Sequence, residues 1–348
     1  MSEIKKRKSD HLELCATDDV AYRGRTTLLE HVLLPHQSLP ELALDELDTS
    51  VSLFGKRLRA PILIASMTGG SESSAEVNRE LSAIAEARGY GFGVGSQRAM
   101  QRAPETAWTY EVRKHAPTTL LLGNVGVVQA RDTETAQLDQ LVKDIGADAL
   151  CVHMNPAQEL IQPEGDRDFR GCVDAYRRLA AELSVPVLAK ETGNGISRQT
   201  AATLRQVGVE TVDVSGAGGT SWVGVEALRA DADTRAVGEV MWDWGIPTAA
   251  SVVYAREAGL VPIATGGIKS GLDVARALAL GAHAAGIARP VLQALREGGR
   301  QGAEAFLERV ERELRTAMIL SGARTVGQLR QCTPVLTGEL REWLAGGG

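Results

Sequence analysis

The chain has 348 residues, 44% of them hydrophobic and 24% charged, with a formal net charge of −6. That length supports a large buried core, the composition is that of a globular protein, and the negative balance argues against a nucleic-acid-binding face. No apolar run approaches the ~20 residues of a membrane helix, and the N-terminal stretch MSEIKKRKSDHLELC lacks the apolar centre of a signal peptide, so a cytoplasmic protein is expected.

Residues 1–60 precede the first strong strand signal and carry the basic stretch RKSDH near their start. Eight apolar runs then read as buried parallel strands: 61–70, 89–96, 119–126, 149–155, 186–193, 211–219, 262–267 and 284–290. After the first, Ser73 and Glu76 have capping-box spacing, and Val77, Leu81 and Ile84 recur on one helical face. After the seventh, Ser270 and Asp273 repeat the device, and Leu272, Ala275, Leu278 and Ala279 make the expected buried stripe. Residues 220–246 read as a mobile inserted loop, followed by a helix starting near Pro247. Trp242 and Trp244, inside the insertion, are expected at a lid or an interface. Lys5 and Lys6 are expected to be solvated, and the terminal glycines to fray.

Strand–helix alternation of this length predicts parallel strands joined by right-handed crossovers. Eight units predict an α/β fold, a (β/α)8 TIM barrel over 61–290, with an N-terminal segment (1–60) and C-terminal helices (291–348) in a single domain. An open doubly wound sheet is the alternative, since periodicity does not show closure. The four cysteines, at 15, 151, 172 and 332, contain no C-x-x-C pair, which predicts reduced thiols and no zinc site.

In such a barrel the active site lies at the C-terminal strand ends. The polar stretch HMNPAQELIQPEGDRDF (153–169) falls at one of these ends, which accounts for so many groups that are costly to desolvate after the apolar ADALCV. The pair Gly266–Gly267 leads into a helix, and Arg289 follows the next strand. Together they suit a phosphate, and no strict G-x-G-x-x-G is present to suggest a Rossmann domain. Lys190 ends the fifth strand, where it needs an anion or a polarised ring. Thr68, Ser96, Asn124 and Thr220 stand at matching depth and can hydrogen-bond such a ring. Arg7, Lys8, His11, Arg98 and His153 suit a second polyanion. Glu159 suits Mg²⁺, which takes one or two protein carboxylates and completes its shell with water and phosphate. Gln158 can position a proton, whereas Glu164, Asp166 and Asp168 read as loop caps and solvated charges.

These motifs resemble the type 2, flavin-dependent isopentenyl-diphosphate isomerases. The resemblance is carried in order by RKSDH, ASMTGG, GSQRA, GNVG, HMNPAQELIQPEGDRDF, KETGNGIS, DVSGAGGTSW, GIPTA and ATGGIKSGLDVARALALGA, and spans residues 7–290. ELRTAMILSGARTVGQL resembles the closing helix. The resemblance implies reversible conversion of isopentenyl to dimethylallyl diphosphate, with reduced FMN, Mg²⁺ and NADPH as reductant. It implies flavin contacts from Ser66, Met67, Thr68, Ser96, Asn124 and Lys190, and from Ser215 and Thr220. Gly266, Gly267, Lys269, Ala288 and Arg289 would surround the flavin phosphate. Arg7, Lys8, His11, Ser96, Gln97 and Arg98 would bind the substrate; His153, Asn155 and Gln158 would act nearest the chemistry, with Gln158 also touching substrate, and Glu159 would hold the metal. A homo-oligomer, tetramer or octamer, is implied, with no nucleic-acid or membrane partner. The alternative is an FMN barrel oxidase of 2-hydroxy acids, but such enzymes carry a His and a nearby Arg after strand six, where this chain reads SGAGGTSW.

Overall fold

The structure, a computed structural model, describes residues 3–17 and 19–346, with only the backbone of residues 3–6 and 9. The side chains of Lys5 and Lys6 and the glycines Gly347 and Gly348 lie outside the described residues.

Eight parallel strands close into a barrel: β1 (Ile62–Ile64), β2 (Gly91–Gly93), β3 (Leu121–Gly126), β4 (Ala149–Met154), β5 (Val187–Glu191), β6 (Thr211–Asp213), β7 (Val261–Ala264) and β8 (Ala284–Ile287). β8 pairs with β1, which closes the ring and removes the open-sheet alternative. Each strand is shorter than its apolar run; apart from β3, which extends to Gly126, this is because the residues at the run's end turn away into the rim loops. Parallel strands need cover on both faces, which is why these runs are apolar throughout instead of alternating. Register places His153 beside Lys190 on β4 and β5, and Lys190 beside Asp213 on β5 and β6.

The helices that matter for the site are, in chain order, α1 (Glu3–Thr17), α2 (Glu72–Arg88), α3 (Pro156–Ile161), α4 (Trp222–Arg229), α5 (Ala232–Met241), α6 (Thr248–Glu257), α7 (Gly271–Ala279) and α8 (Arg289–Leu320). α2 buries Val77, Leu81 and Ile84 as expected, but its N-cap is Ser71, whose hydroxyl accepts from Ser74 N at 3.2 Å. Ser73 therefore lies inside the first turn. α7 is capped by Ser270 as read, while Leu272 is 41% exposed. The cause is Gly271: a Cβ there would stand 2.0 Å from Val310 O of α8, so the packed face runs through Gly271, Val274, Ala275 and Leu278. α8 is interrupted at Gly299, which has φ 60°.

Residues 220–246 are not a loop. They form α4 and α5, capped by Ser221 and Asp231, which pack on one another. Glycines in both helices disguise the pattern, yet they make the contact. A Cβ on Gly224 would lie 2.4 Å from Trp242 Cζ2, and one on Gly238 2.6 Å from Ala227 Cβ. Trp242 is consequently buried, its Nε1 donating to Ala21 O at 2.8 Å, whereas Trp244 is exposed. α6 starts at Thr248 with Pro247 as its N-cap, close to expectation.

The N-terminal segment wraps the rim. Tyr22 N donates to Gly219 O at 3.0 Å, and its hydroxyl donates to Gly193 O at 2.7 Å. Asp243 accepts from Arg23 N and Gly24 N, both at 2.8 Å. These bonds fasten α1 across the C-terminal mouth.

Candidate active site

A cavity of about 640 Å³ opens at that mouth, between the strand-end loops and α1. Its size and mixed lining fit a small-molecule site. Every residue expected at the site lines it, with one exception. Gln97 is fully buried behind β3: its Oε1 accepts from Asn124 N at 3.0 Å and its Nε2 donates to Leu141 O at 3.0 Å. It braces Asn124 and does not reach the cavity. Its neighbours Ser96 and Arg98 do, because the chain turns there into a short helix.

On the barrel floor, Lys190 Nζ donates to Asp213 Oδ2 at 2.9 Å, and both side chains are buried. A buried lysine needs such a partner. Asn124 Oδ1 lies 2.8 Å from His153 Nδ1, so the neutral ring carries its proton on Nδ1. Burial, and then the charges of Lys8, Lys190 and Arg98, push the His153 imidazole down to about 3. It is a neutral donor throughout the physiological range. Ser66, Met67 and Thr68 follow β1 at one side of the floor, and Ser215 and Thr220 follow β6 at another.

The polar wall comes from the β4 loop and α3. Asn155 Nδ2 donates to Gln158 Oε1 at 3.1 Å and to Glu159 Oε1 at 3.0 Å. Gln158 Nε2 donates to Glu226 Oε1 at 2.9 Å, and Asp166 N donates to Glu159 Oε2 at 2.7 Å. Glu226, on α4, is fully buried. Burial opposes its ionisation, but hydrogen bonds from His11 and Gln158 and the Arg229 charge hold the carboxyl down at about 2. Among the described residues, no three His, Cys, Asp or Glu side chains cluster as an all-protein metal cage. A single carboxylate with spare lone pairs, Glu159, is what a water- and phosphate-completed Mg²⁺ shell requires.

The roof is α1. Arg7 Nη1 lies 3.5 Å from Glu164, Arg98 Nη1 3.7 Å from Asp166, and His11 Nε2 2.8 Å from Glu226. Glu164 pairs with Arg7 while staying exposed, as a solvated charge does; half-buried Asp166 pairs with Arg98; and Asp168 pairs with exposed Arg170, as a loop charge does. Lys8 is 8% exposed, and among the described residues no carboxylate lies within ion-pair distance of it. Burial, with help from Arg7 and Arg98, lowers its amine to about 7.

The far end is a glycine cradle. Gly218, Gly266 and Gly267 have φ of 110°, 98° and 73°, and a Cβ on Gly219 would stand 2.3 Å from Gly267 N. Only bare backbone fits here, and bare backbone can approach a phosphate closely. The buried hydroxyl Thr265 Oγ1, which lines the same cavity, has no hydrogen-bond partner among the described residues. A phosphorylated planar cofactor therefore suits the lining. At the α7 N-terminus three donors are engaged, Lys269 N by Asp273, Gly271 N by Glu313 and Asp273 N by Ser270, which leaves the glycine pair's own backbone to face the cavity. α8, by contrast, begins at Arg289 with no side-chain cap on Ala288.

Several site groups were missed from sequence. Glu226 and Arg229 lay in the segment read as a loop, where a buried-face Glu on a helix would have been the signal. Asp213 was passed over inside an apolar strand. Glu191, whose Oε2 accepts from the backbone N–H groups of Thr192, Gly193, Asn194 and Gly195, organises the β5 loop.

The family model described as FMN-dependent dehydrogenase matches residues 153–334. A mandelate oxidase variant carrying a monooxide FMN adduct aligns with TM-score 0.64 at 20% identity, covering 93% of this chain and 95% of its own. A mandelate oxidase with a difluorinated hydroxyphenylpropionic acid aligns at 0.63 and 18%, covering 97% and 99%. These likenesses establish the fold. Barrel and family model together place the chain among the FMN-dependent dehydrogenase barrels.

Closer relatives refine this. Isopentenyl-diphosphate delta-isomerase of Methanosarcina barkeri is 45% identical over 99% of this chain and 95% of the relative. The enzymes of the same name from Methanothermobacter thermautotrophicus and Thermococcus kodakarensis are also 45% identical, over 98% and 97% of this chain and 96% and 93% of theirs. The chain belongs to the isopentenyl-diphosphate delta-isomerase family.

Proposed function

We propose that the chain interconverts isopentenyl and dimethylallyl diphosphate in isoprenoid biosynthesis, using reduced FMN, Mg²⁺ and NADPH as reductant. The observation that carries this reading is Lys8, a buried amine with no carboxylate in ion-pair distance among the described residues, close to Arg7 and Arg98 and sharing one cavity with Glu159. Such a group awaits a polyanion. A hydroxy-acid oxidase has no use for this cluster.

Moving the double bond requires a proton to arrive at one carbon and leave another. The reduced flavin supplies an electron-rich surface that stabilises the positive charge and a ring nitrogen able to exchange protons. The chain's residues do the rest. Arg7, Lys8, His11 and Arg98 hold the diphosphate, with Ser96 alongside and Glu159 fixing its Mg²⁺. Neutral His153, its Nδ1–H donated to Asn124 Oδ1, adds no charge near the reacting carbons. Asn155 and Glu226 hold the Gln158 amide from both ends, so that its oxygen orients a proton. Lys190, fixed by Asp213, places a positive charge beside the flavin ring. Ser66, Met67, Thr68, Asn124, Ser215 and Thr220 line the ring's bed. Gly266, Gly267, Lys269, Ala288 and Arg289 surround its phosphate. Leu12 and Trp222 close the roof against water.

We place the enzyme in the cytoplasm as a homo-oligomer, tetramer or octamer. Val237, Val240 and Trp244, exposed at 55%, 84% and 63% on and just beyond α5, support a contact surface there. No described helix is long and apolar enough to cross a membrane.

The test is anaerobic turnover of isopentenyl diphosphate with Mg²⁺ and pre-reduced flavin. Product formation that stops when the flavin is oxidised is expected. Equal turnover with oxidised flavin would overturn the proposal.

A further inference from the structure

The cavity does not end at the glycine cradle. It continues past Lys269 to Gln293, Phe306 and Arg309 on α8. α8 reaches this position because Gly271 lets it dock directly on the start of α7, where Glu313 Oε2 accepts from Gly271 N at 2.7 Å. One turn earlier, Arg309 Nε stands 3.6 Å from the other Glu313 oxygen, and its guanidinium carbon 5.4 Å from the Phe306 ring centre. Both contacts are weak. The ion pair is a one-turn pair with Arg309 56% exposed, and the ring contact is partly solvated.

We infer that Arg309, from outside the strand-end loops, is a further ligand of the cofactor's phosphate and sets the preference for phosphorylated over unphosphorylated flavin; this rests on the flavin reading above. An anion at this end cannot use α7 donors that Asp273, Glu313 and Ser270 already occupy. What the cradle's backbone leaves of its charge falls to side chains, and Lys269, Arg289 and Arg309 are the cations lining that end. Arg289 is held in place by its Nε, which donates to Cys15 O at 3.0 Å. Arg309 keeps a planar fork suited to two phosphate oxygens, and leaving Glu313 costs it only a weak pair. Glu313 stays where it is, because its other oxygen caps Gly271.

The experiment titrates flavin-free native chain, R309A and R309K with FMN and with riboflavin, at low and high salt, following flavin fluorescence. R309A is expected to weaken FMN about 5–10-fold, leave riboflavin unchanged and flatten the salt dependence, with R309K recovering part of the loss. Unchanged FMN affinity in R309A, or equal losses for both flavins, overturns the inference. A native chain that binds FMN no better than riboflavin, or binds neither, overturns the flavin reading itself and this inference with it.

Discussion

Lys8 makes the site's most quantitative prediction. Its amine titrates at about 7 in the free protein, against 10.5 for an ordinary lysine, because burial removes water and Arg7 and Arg98 repel the charge. A bound diphosphate reverses both causes by placing negative charge where water is missing. Suppose occupancy restores the ordinary value. At pH 8.5, about 3% of free protein then carries the Lys8 proton, against about 99% of the complex, so binding takes up about one proton. The sign is fixed by the direction of the shift. Above about pH 7 the free amine is neutral and must be charged on binding, so affinity falls as pH rises; below about pH 7 it is already charged and the dependence vanishes. Between pH 7.5 and 9.5 the dissociation constant should rise about 70-fold. The diphosphate's own last proton leaves near pH 6, outside this window, by analogy with ~6 for a phosphomonoester. Isothermal titration of the oxidised holoenzyme with isopentenyl diphosphate and Mg²⁺, repeated in buffers of different ionisation heat, counts the protons. Lys8→Met should abolish the uptake, leaving a weaker and nearly pH-independent affinity. Uptake near zero in the native chain, or uptake preserved in Lys8→Met, would refute the reasoning.

Asp213→Ala leaves the buried Lys190 charge uncompensated and should cost about 3–5 kcal/mol in urea unfolding of the flavin-free chain, whereas Lys190→Met with Asp213→Leu should recover most of it; a loss under about 1 kcal/mol in the single variant would show that the pair is solvated. Glu159→Gln should raise the Mg²⁺ concentration needed for half-maximal turnover at least about tenfold while flavin content stays native, since one carboxylate is the protein's share of the proposed shell. Gly267→Ala should purify without flavin, because φ is 73° and the new Cβ would stand 2.3 Å from Thr27 Cγ2; native flavin content in that variant would refute the cradle.

The barrel was legible because its strands are covered on both faces, so apolar runs ending in glycine mark them. The lining was legible because the fold sends strand ends to one rim. What escaped depended on partners distant in sequence. Gln97 sits between two cavity residues, and only the position of Leu141 and Asn124 shows that it points away. Gly224 and Gly238 weaken the helical pattern of the insertion, yet they are where α4 meets the Trp242 ring and α5 meets Ala227. Leu272 fits the period of a buried stripe, and only the close approach of α8 at Gly271 rotates it out. Asp213 shows no signal on its own strand; it becomes necessary once Lys190 is known to be buried beside it.

The roof carries Arg7, Lys8 and His11 of the proposed anion-binding cluster, and this couples the two. α1 is held to the rim by ion pairs of Arg7 with Glu164 and of Asp10 with Arg229, which itself pairs with Glu226, and by the His11 ring, kept neutral by burial, 2.8 Å from Glu226. Of Arg7, Lys8 and His11, only Lys8 has no carboxylate within ion-pair distance among the described residues. A roof amine that is buried and deprotonated, as Lys8 is above about pH 7, contributes no charge attraction to the rim. Once an anion lies beneath it, the same amine becomes charged and pulls α1 onto the mouth. Closure and occupancy must then strengthen one another by equal free energies, since a ligand that binds only the closed arrangement stabilises that arrangement by mass action. If the diphosphate binds beneath α1, the dry cavity that proton transfer to an alkene requires should be most complete with it present, and Lys8→Met should weaken that coupling.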